Sequence, residues 1–188
     1  TTAQLIDVFK DHPVDFAPGE QWAYNNSGYV LVGAVIEAAS GMPWHQFLQQ
    51  EFFAPLGMDH TGYGHDPANV ARQVRGHAWE GDKVVDAPAI SMTQPHAAGA
   101  LVSSVDDLHK WNRALHEDRL FKDATYTAMI TPEGKAVDSK YGYGIATGSV
   151  RGRPMLSHGG GIFGFSTTLN YVPGDDIGVV VLQNGQGS

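Results

Sequence analysis

The fold is decided by residues 155–182, which read MLSHGGGIFGFSTTLNYVPGDDIGVVVL. Short runs rich in β-branched and aromatic residues alternate here with glycines, a pattern typical of strands that are joined by tight turns. The same pattern begins near Tyr141, and Pro173-Gly174-Asp175-Asp176 forms the turn of the last hairpin. Four strands are predicted, at 141–148, 155–158, 164–172 and 177–182. Strands that follow each other through such short turns favour one antiparallel sheet.

Residues 1–140 show mainly helical patterning instead. Apolar residues recur at helical spacing in 26–40, a helix that Asn25 or Asn26 can cap at its start and Gly41 at its end. Further elements are helices at 44–53, 105–116 and 123–130, and a small hairpin within 72–87 that turns at 80–83.

Ser104 followed by Asp107 resembles a capping box at the start of the helix over 105–116. This helix and its neighbours are expected to cover the sheet, because each element must bury its apolar face. The sequence therefore predicts an α+β fold in a single domain over 1–188, mainly helical in 1–140 and formed by the antiparallel sheet in 141–188.

Both ends of the chain look interrupted. Residues 3–9 read as the middle of a helix, and the apolar run 177–182 reads as a buried strand whose packing partner should follow. We therefore expect a domain that is incomplete at both ends.

Composition excludes several classes of function. The 188 residues carry 12 Lys and Arg against 20 Asp and Glu, a formal net charge of −8. That balance argues against nucleic acid as a partner, because phosphate binding needs a basic surface. The lack of cysteine in the sequence excludes a disulfide scaffold and a cysteine nucleophile. No stretch is long and apolar enough for a transmembrane segment, and the compartment stays open between periplasmic or secreted and cytoplasmic.

The nine histidines do not predict a metal centre. They are scattered, the spacing of His60 and His65 is poor for two ligands of one ion, and no H-E-x-x-H sequence occurs. We therefore expect neither a metal nor another cofactor. A metallohydrolase that uses the histidines stays a minor alternative, which bound zinc would reveal.

Two segments resemble the signatures of one enzyme superfamily. Residues 16–29 read FAPGEQWAYNNSGY, and residues 156–165 read LSHGGGIFGF. They are similar to the second and third signatures of the serine β-lactamase and penicillin-binding-protein superfamily, in its class C-like branch. That branch also includes D,D-peptidases, D-aminopeptidases and esterases. The resemblance covers nearly the whole chain in order, since it includes FAPLGM at 53–58, AGALVSSVDDL at 98–108 and YGYGI at 141–145.

The resemblance implies catalytic roles for Tyr24, Asn26 and His158. Tyr24 matches the tyrosine of the Y-x-N signature, whose phenol exchanges protons with the serine nucleophile and the leaving group. A phenol ordinarily titrates near pH ~10, so it needs nearby positive charge to act as a base. Asn26 matches the asparagine that binds the substrate carbonyl and the neighbouring lysine. His158-Gly159-Gly160 stands where many relatives have K-T-G, so that histidine, which ordinarily titrates near pH ~6.5, replaces a permanent cation.

Gly159, Gly160 and Gly161 are the expected oxyanion-binding and substrate-binding residues. Gly161 matches the strand residue whose N–H joins that of the nucleophile in the oxyanion hole. A glycine-rich strand edge suits this role, because the substrate backbone must approach it closely.

Each of these residues also has a purely structural interpretation. Tyr24 before a helix fits a hydrophobic staple, and Asn26 fits a helix cap. His158 alone fits a hydrogen-bonded histidine at a strand end, and the three glycines fit a turn. Their common order and spacing favour a shared site.

The nucleophile is missing from the pattern. The first signature of the superfamily is S-x-x-K, and no serine of this sequence has a lysine three residues later. In the superfamily this signature precedes Y-x-N by several tens of residues, whereas 23 residues precede Tyr24. We therefore expect a fragment of a serine hydrolase that acts through an acyl-enzyme on an amide, ester or lactam carbonyl. The serine would lie on a segment outside this sequence.

The competing hypothesis is a non-catalytic homologue or fragment with a binding or assembly role. Whether this chain alone is an enzyme is therefore open at this point. The expected partners are a small-molecule or peptide substrate and, because a fragment exposes apolar surface, the missing segment or a second copy of the chain.

Overall fold

The computed structural model describes residues 1–117 and 120–186. Its α-helices are α1 (Thr2–Asp7), α2 (Asn26–Ser40), α3 (Trp44–Leu48), α4 (Pro67–Val70), α5 (Val105–His116) and α6 (Asp123–Ile130), and a π-helical turn, Gln49–Phe53, extends α3. Its strands are β1 (Gly62–Tyr63), β2 (His77–Glu80), β3 (Lys83–Asp86), β4 (Leu101–Val102), β5 (Ala146–Val150), β6 (Arg153–Ile162), β7 (Phe165–Val172), β8 (Ile177–Gln183) and β9 (Gly185–Gln186). None of the helices in the described part of the chain has the length and apolar character needed to span a membrane.

Four antiparallel strands form the main sheet, in the order β5-β6-β7-β8. The α+β class and the antiparallel sheet predicted from the sequence are thereby confirmed. A short 3₁₀ turn, Pro173–Asp175, joins β7 to β8, and Asp176 closes it in the left-handed conformation with φ of 53°.

Helix α5 lies on one face of this sheet, as the sequence predicts for 105–116. The Asn112 side-chain amide donates a 2.9 Å hydrogen bond to the Asn170 carbonyl of β7. A Cβ at Gly178 of β8 would lie 2.8 Å from that amide nitrogen, so glycine at this position lets the helix approach the sheet closely. Leu115 of α5 packs with Tyr171 of β7 in the main hydrophobic core.

The opposite face of β8 is open. Ile177, Val179 and Val181 alternate along the strand and are between 42% and 49% exposed. In the described ranges β8 is an edge strand, with β7 as its neighbour in the sheet.

A second core lies beneath α2. Trp44, Tyr63 and Ala100 form it, next to the short pairing of β1 with β4. Helix α2 approaches this region through Gly33, where a Cβ would lie 2.6 Å from the Ala97 Cβ. This close approach helps to position α2. Tyr24, the tyrosine of the Y-x-N segment, lies directly before the first turn of this helix.

A buried carboxylate, Asp107, ties α5 to the loop before β1. It accepts hydrogen bonds from the His60 backbone N–H at 2.7 Å, the Thr61 hydroxyl at 3.0 Å and the Lys110 ammonium at 3.1 Å. Burial alone would raise the pKa of Asp107, but these donors outweigh it and hold the pKa below its usual value. The carboxylate is therefore charged, fully buried and hydrogen-bonded.

Two strands differ from their predicted bounds by more than one residue at an end. The first strand begins at Ala146 and not at Tyr141, because the intervening residues form a turn in which Gly144 has φ of 77°. Tyr141 makes a single bridge with Ala146. Strand β6 is longer than the predicted 155–158, because the glycine-rich residues after His158 remain extended and pair with β7.

The capping predictions are partly wrong. At α5, the Ser104 hydroxyl accepts a 3.2 Å hydrogen bond from the Asp107 N–H, but the Asp107 side chain binds the 60–61 loop and does not return to Ser104. At α2, Asn25 is the cap and Asn26 is the first helical residue.

The predicted small hairpin is present as β2 and β3, with Gly81 and Asp82 between the strands. Glu80 and Lys83, which the sequence analysis places in the turn, pair with each other instead. Two further pairings escape the sequence analysis, the parallel pairing of β9 with β2 and the antiparallel pairing of β1 with β4. Each joins two residues per strand, too few for a periodic pattern.

His116 at the end of α5 is a second buried ionisable group. Its ring stacks on Tyr171 at a centroid distance of 4.4 Å, and its Nδ1 lies 2.8 Å from the Tyr126 hydroxyl oxygen. Burial lowers the pKa of His116 to about 4. The native state therefore holds this imidazole neutral at pH values where an unfolded chain would protonate it.

Replacing Asp107 by alanine is expected to destabilise the fold by about 3 kcal/mol, because the buried donors of the 60–61 loop lose a charged acceptor. The matched control is Asp106→Ala, which removes the exposed acidic residue beside it and should cost less than about 1 kcal/mol. The measurement is the free energy of unfolding in urea. Equal losses in the two variants would contradict the role assigned to Asp107.

The free energy of unfolding is expected to fall as the pH drops from about 6.5 towards 4. The sign follows from protonation, since in this range the unfolded chain binds a proton at His116 that the native state does not. His116→Gln should flatten this part of the profile, whereas the exposed His12→Gln should not. Urea titrations at pH 7 and pH 5 measure the difference, and an unchanged slope in His116→Gln would refute it.

Candidate active site

Tyr24 lies directly before α2 and faces solvent. Asn25 has extended backbone, and its Oδ1 accepts a 2.7 Å hydrogen bond from the Gly28 N–H, so the helix cap follows Tyr24 immediately. The Tyr24 side chain is 54% exposed. This exposure does not fit the interpretation of Tyr24 as a buried staple, and the cap at Asn25 removes the structural interpretation of Asn26.

His158 lies within β6, beside an edge of the strand that is open. Strand β5 pairs with β6 up to the pair Ala146 and Ser157. Strand β7 pairs with the other edge through Ile162. In the described part of the chain, residues 158–162 therefore pair with β7 alone. The opposite edge of β6 is accessible there to an extended ligand.

Three exposed glycines follow His158 along this edge. A Cβ at Gly160 would lie 2.5 Å from the Thr167 Oγ1 of β7, whereas a Cβ at Gly161 would meet nothing within 4 Å. A side chain at 160 would therefore displace the Thr167 hydroxyl, and glycine at 161 leaves room for a backbone to approach. Because all three glycines are part of β6, the interpretation of these residues as a turn is wrong.

The rings of Tyr24 and His158 meet although the residues are far apart in the sequence. Their centroids are 6.4 Å apart. Tyr141 contacts both, with its ring edge-on at 5.9 Å from Tyr24 and its hydroxyl oxygen 2.7 Å from the His158 Nε2. The Trp22 ring continues the cluster, 5.4 Å from the Tyr141 ring.

Asn26 and Gly161 lie on the two elements that carry this cluster. Asn26 is the exposed first residue of α2, two residues after Tyr24. Gly161 follows His158 by three residues, about 10 Å further along the strand. Of the four predicted residues, the structure brings Tyr24 and His158 together, with ring centroids 6.4 Å apart, whereas Asn26 and Gly161 are placed by their positions on α2 and β6.

Tyr141 contacts the rings of Tyr24 and His158, and the sequence analysis gives it no role. Its loop is fixed by glycines, since a Cβ at Gly142 would collide with a backbone carbonyl of α6 and a Cβ at Gly144 would lie 3.1 Å from the Tyr29 hydroxyl. The signal in the sequence is the YGYGI run itself, in which alternating glycines indicate a constrained loop.

Burial is the largest influence on the pKa values of Tyr29 and Tyr141. Burial raises the pKa of Tyr141 strongly, and Tyr29 and Tyr24 raise it further. Interaction with the Tyr141 side chain opposes the effect of burial on Tyr29 without cancelling it, so the pKa of Tyr29 is also raised. Both phenols therefore stay protonated at neutral pH.

A cavity of about 420 Å³ opens beside these rings. Its side chains include Trp22, Tyr24, Tyr29, Val32, Glu133, Tyr141 and Tyr143. Glu133 also lines an adjoining cavity of about 490 Å³, together with Lys135. Among the described residues no lysine or arginine lines the first cavity, so the cation that Tyr24 would need as a base is not supplied there.

The chemistry of the cluster is that of phenols, an imidazole and strand N–H groups. Such groups can bind an acyl group and move protons. Within the described ranges, no group of three or more histidine and acidic side chains is arranged to hold a metal ion.

Known proteins share this architecture. The chain is 28% identical over 183 residues to penicillin-binding protein 4* of Bacillus subtilis (strain 168), a match that covers 88% of the chain and 40% of that protein. It is 24% identical over 173 residues to the D-aminopeptidase of Gluconobacter oxydans (strain 621H), covering 91% of the chain and 33% of that protein. It superposes on the D-amino acid amidase from Ochrobactrum anthropi SV3 with a TM-score of 0.86 and 25% identity, covering 100% of the chain and 57% of that structure.

The chain matches only part of the length of these relatives. It spans about two fifths of penicillin-binding protein 4* and somewhat more than half of the amidase structure. The family model described as Beta-lactamase matches residues 1–188, in agreement with the resemblance of the two signature segments. The chain belongs to the β-lactamase family of serine hydrolases and penicillin-binding proteins.

Proposed function

We propose that this chain forms two walls of a serine-hydrolase active site that works through an acyl-enzyme on an amide, ester or lactam carbonyl. One observation carries the proposal. Tyr24 before α2 and His158 on β6 bring their rings to 6.4 Å, next to the open edge of β6. Two unrelated structural residues would have no reason to meet at such an edge, whereas a shared acyl-transfer site requires it.

The two walls are the start of α2 with Tyr24 and Asn26, and strand β6 with His158 and the three glycines, and each has its own role in the proposed reaction. The serine oxygen attacks the carbonyl carbon, and Tyr24 takes the serine proton and passes it to the leaving group as the scissile bond breaks. Asn26 orients the substrate carbonyl, and His158 offers a polar group to the substrate or the leaving group. The Gly161 N–H stabilises the negative oxygen of the tetrahedral intermediate, with Gly159 and Gly160 as the strand surface on which the substrate lies. Water then attacks the acyl-enzyme and releases the acid.

The serine and lysine of the site are proposed to come from a segment that is not among these 188 residues. No serine here has a lysine three residues later. The described lining of the cavity at Tyr24 includes no lysine or arginine either. Both absences have the same explanation if one helix supplies the serine and the lysine together.

The relatives suggest substrates without deciding between them. A penicillin-binding protein and a D-aminopeptidase are among the matched proteins, and a D-amino acid amidase shares the fold. Amides of D-amino acids and lactams are therefore the first substrates to test. Attack on either uses the same chemistry, and the shape of the pocket distinguishes them.

A non-catalytic binding role is the second candidate. The absence of an S-x-x-K sequence from these residues favours it, because the open edge of β6 could bind an extended peptide without any covalent step. The two candidates differ in whether a serine ever becomes acylated.

The 188-residue chain alone is expected to form no covalent adduct with a fluorescent penicillin or a fluorophosphonate, since it supplies no activated serine. Intact-mass measurement after incubation checks this, with penicillin-binding protein 4* of Bacillus subtilis as the positive control. A stoichiometric adduct that appears with the folded chain but not with the heat-denatured chain would overturn the proposed absence of the nucleophile.

In a form of the protein that carries the serine, Tyr24→Phe is expected to lower the acylation rate by about 10²–10⁴-fold, the usual contribution of a positioned acid or base. The matched control is Tyr126→Phe, a tyrosine on α6 that is hydrogen-bonded with His116 outside the cavity. Stopped-flow measurement with a chromogenic ester or lactam gives both rates. Equal rates in the two variants would exclude Tyr24 as the proton relay.

A further inference from the structure

Glu133 lies at the boundary between the two cavities described above. It lines both the cavity of about 420 Å³ beside Tyr24 and the adjoining cavity of about 490 Å³, and Trp22 lines both as well. Among the described residues around the first cavity, Glu133 supplies the one carboxylate, and no lysine or arginine accompanies it. The reaction proposed above does not use this carboxylate, so its place in the cavity needs a separate explanation.

The Glu133 carboxylate is available to a ligand. Glu133 precedes a short 3₁₀ turn, Gly134–Ala136, and its backbone carbonyl accepts a 3.0 Å hydrogen bond from the Ala136 N–H. Its side chain does not cap this turn, and within residues 1–117 and 120–186 it has neither an ion pair nor a hydrogen bond. Lys135 lines the second cavity and not the first. No described cation of the chain therefore pairs with this carboxylate.

Aromatic rings form much of the remaining wall of the first cavity. The Tyr141 ring centroid lies 5.4 Å from that of Trp22, with 45° between the ring planes, and 5.9 Å from that of Tyr24, with 86° between the planes. Rings inclined in this way enclose a cavity from several sides and do not stack into one layer. The face of an aromatic ring attracts a cation within about 6 Å of its centre, most strongly for tryptophan. A carboxylate among such rings favours a positively charged organic group.

An organic ammonium group suits this lining better than a metal ion does. A metal ion needs several oxygen or nitrogen ligands, and the described part of the chain brings no three histidine or acidic side chains together in that way. An ammonium group needs less, because one carboxylate and several ring faces can replace part of its hydration. The formal net charge of −8 also favours the approach of a cation.

We propose that Glu133, Trp22 and Tyr141 form a subsite for the ammonium group of the substrate, so that the site prefers amides and esters of amino acids with a free α-amino group. Tyr24 lines the same cavity, which places the bound ammonium group next to the residue proposed to transfer protons. The volume of about 420 Å³ is in the range of small-ligand sites. Because one carbon atom separates an α-amino group from the carbonyl carbon, one substrate can occupy the subsite and the reacting position together.

This inference rests on the proposed function for the statement that the bound compound is a substrate, whereas binding of the ammonium group is a property of the folded chain itself. Binding is measured without turnover, so the two can fail separately. An acylated serine in this chain would overturn the proposed origin of the nucleophile and leave the subsite unchanged. Loss of the ammonium preference would overturn the subsite and leave the acylation test unchanged.

The test compares two compounds that differ in the ammonium group alone. D-Phenylalanine amide carries this group at about pH 6, below the usual α-amino pKa of ~7.7–8.0, and 3-phenylpropanamide has a hydrogen atom in its place. Titration of the ¹⁵N-labelled 188-residue chain, followed by ¹H–¹⁵N spectroscopy, gives both dissociation constants. We expect the ammonium compound to bind at least about fivefold more tightly, as for an ion pair and a cation–π contact together. Equal dissociation constants, or no binding of the ammonium compound at millimolar concentration, would overturn the proposal.

Two variants separate the carboxylate from the general charge of the surface. Glu133→Gln keeps the size of the side chain and removes its charge, so most of the preference for the ammonium compound should be lost. Asp138→Asn is the matched control, since it removes the same charge from an exposed residue between α6 and β5 that lines neither cavity, and the preference should remain. A preference that survives in Glu133→Gln, or that falls equally in Asp138→Asn, would refute the role of Glu133.

Two further variants test the aromatic wall. Trp22→Phe keeps an aromatic face, whereas Trp22→Leu removes it, so the preference for the ammonium compound should fall further in the leucine variant. The amide signal of His116 in the same spectra reports whether each variant is folded. Equal preferences in the two folded variants would exclude the Trp22 ring from the subsite.

Discussion

Strand β6 has to meet two requirements at once. It must pair with β7 along its length to hold the main sheet together, and it must leave its other edge unpaired beyond Ser157 if an extended substrate is to bind there. Both are met by the turn at 142–145, where left-handed Gly144 takes the chain away from the sheet before β5 begins. The same turn places Tyr141 against His158. This one turn therefore leaves the edge of β6 unpaired beyond Ser157 and also brings the Tyr141 hydroxyl to His158.

The sequence predicts the parts of this arrangement that depend on local periodicity. The long helices at 26–40 and 105–116, the terminal hairpin and the antiparallel sheet all follow from the spacing of apolar residues and from turn residues, because burial on one face imposes that spacing. Tyr24 and His158 are indicated by motifs that a known family shares. Family membership is confirmed by the comparisons, whereas the catalytic roles stay predictions.

What could not be predicted depends on contacts between distant parts of the chain. Asp107 has the sequence position of a capping acid, and the loop at 60–61 decides that it becomes a buried acceptor. Tyr141 looks like one more aromatic residue in a glycine-rich run until His158 is placed beside it. The parallel contact of β9 with β2 joins residues near 77 to residues near 185, and no local pattern records such a pairing.

The open face of β8 bears on how the chain behaves outside its biological setting. Residues 177–182 read IGVVVL, six residues without charge or proline and rich in β-branched side chains. In the described part of the chain they lie on an edge strand, with Val179 and Val181 exposed. Such a segment is a template for intermolecular strand addition, and identical copies can stack in register into cross-β fibrils. Heating or long storage of concentrated protein should therefore promote aggregation from this strand. A charged residue at Val179 or Val181 is the change that would act as a gatekeeper against it.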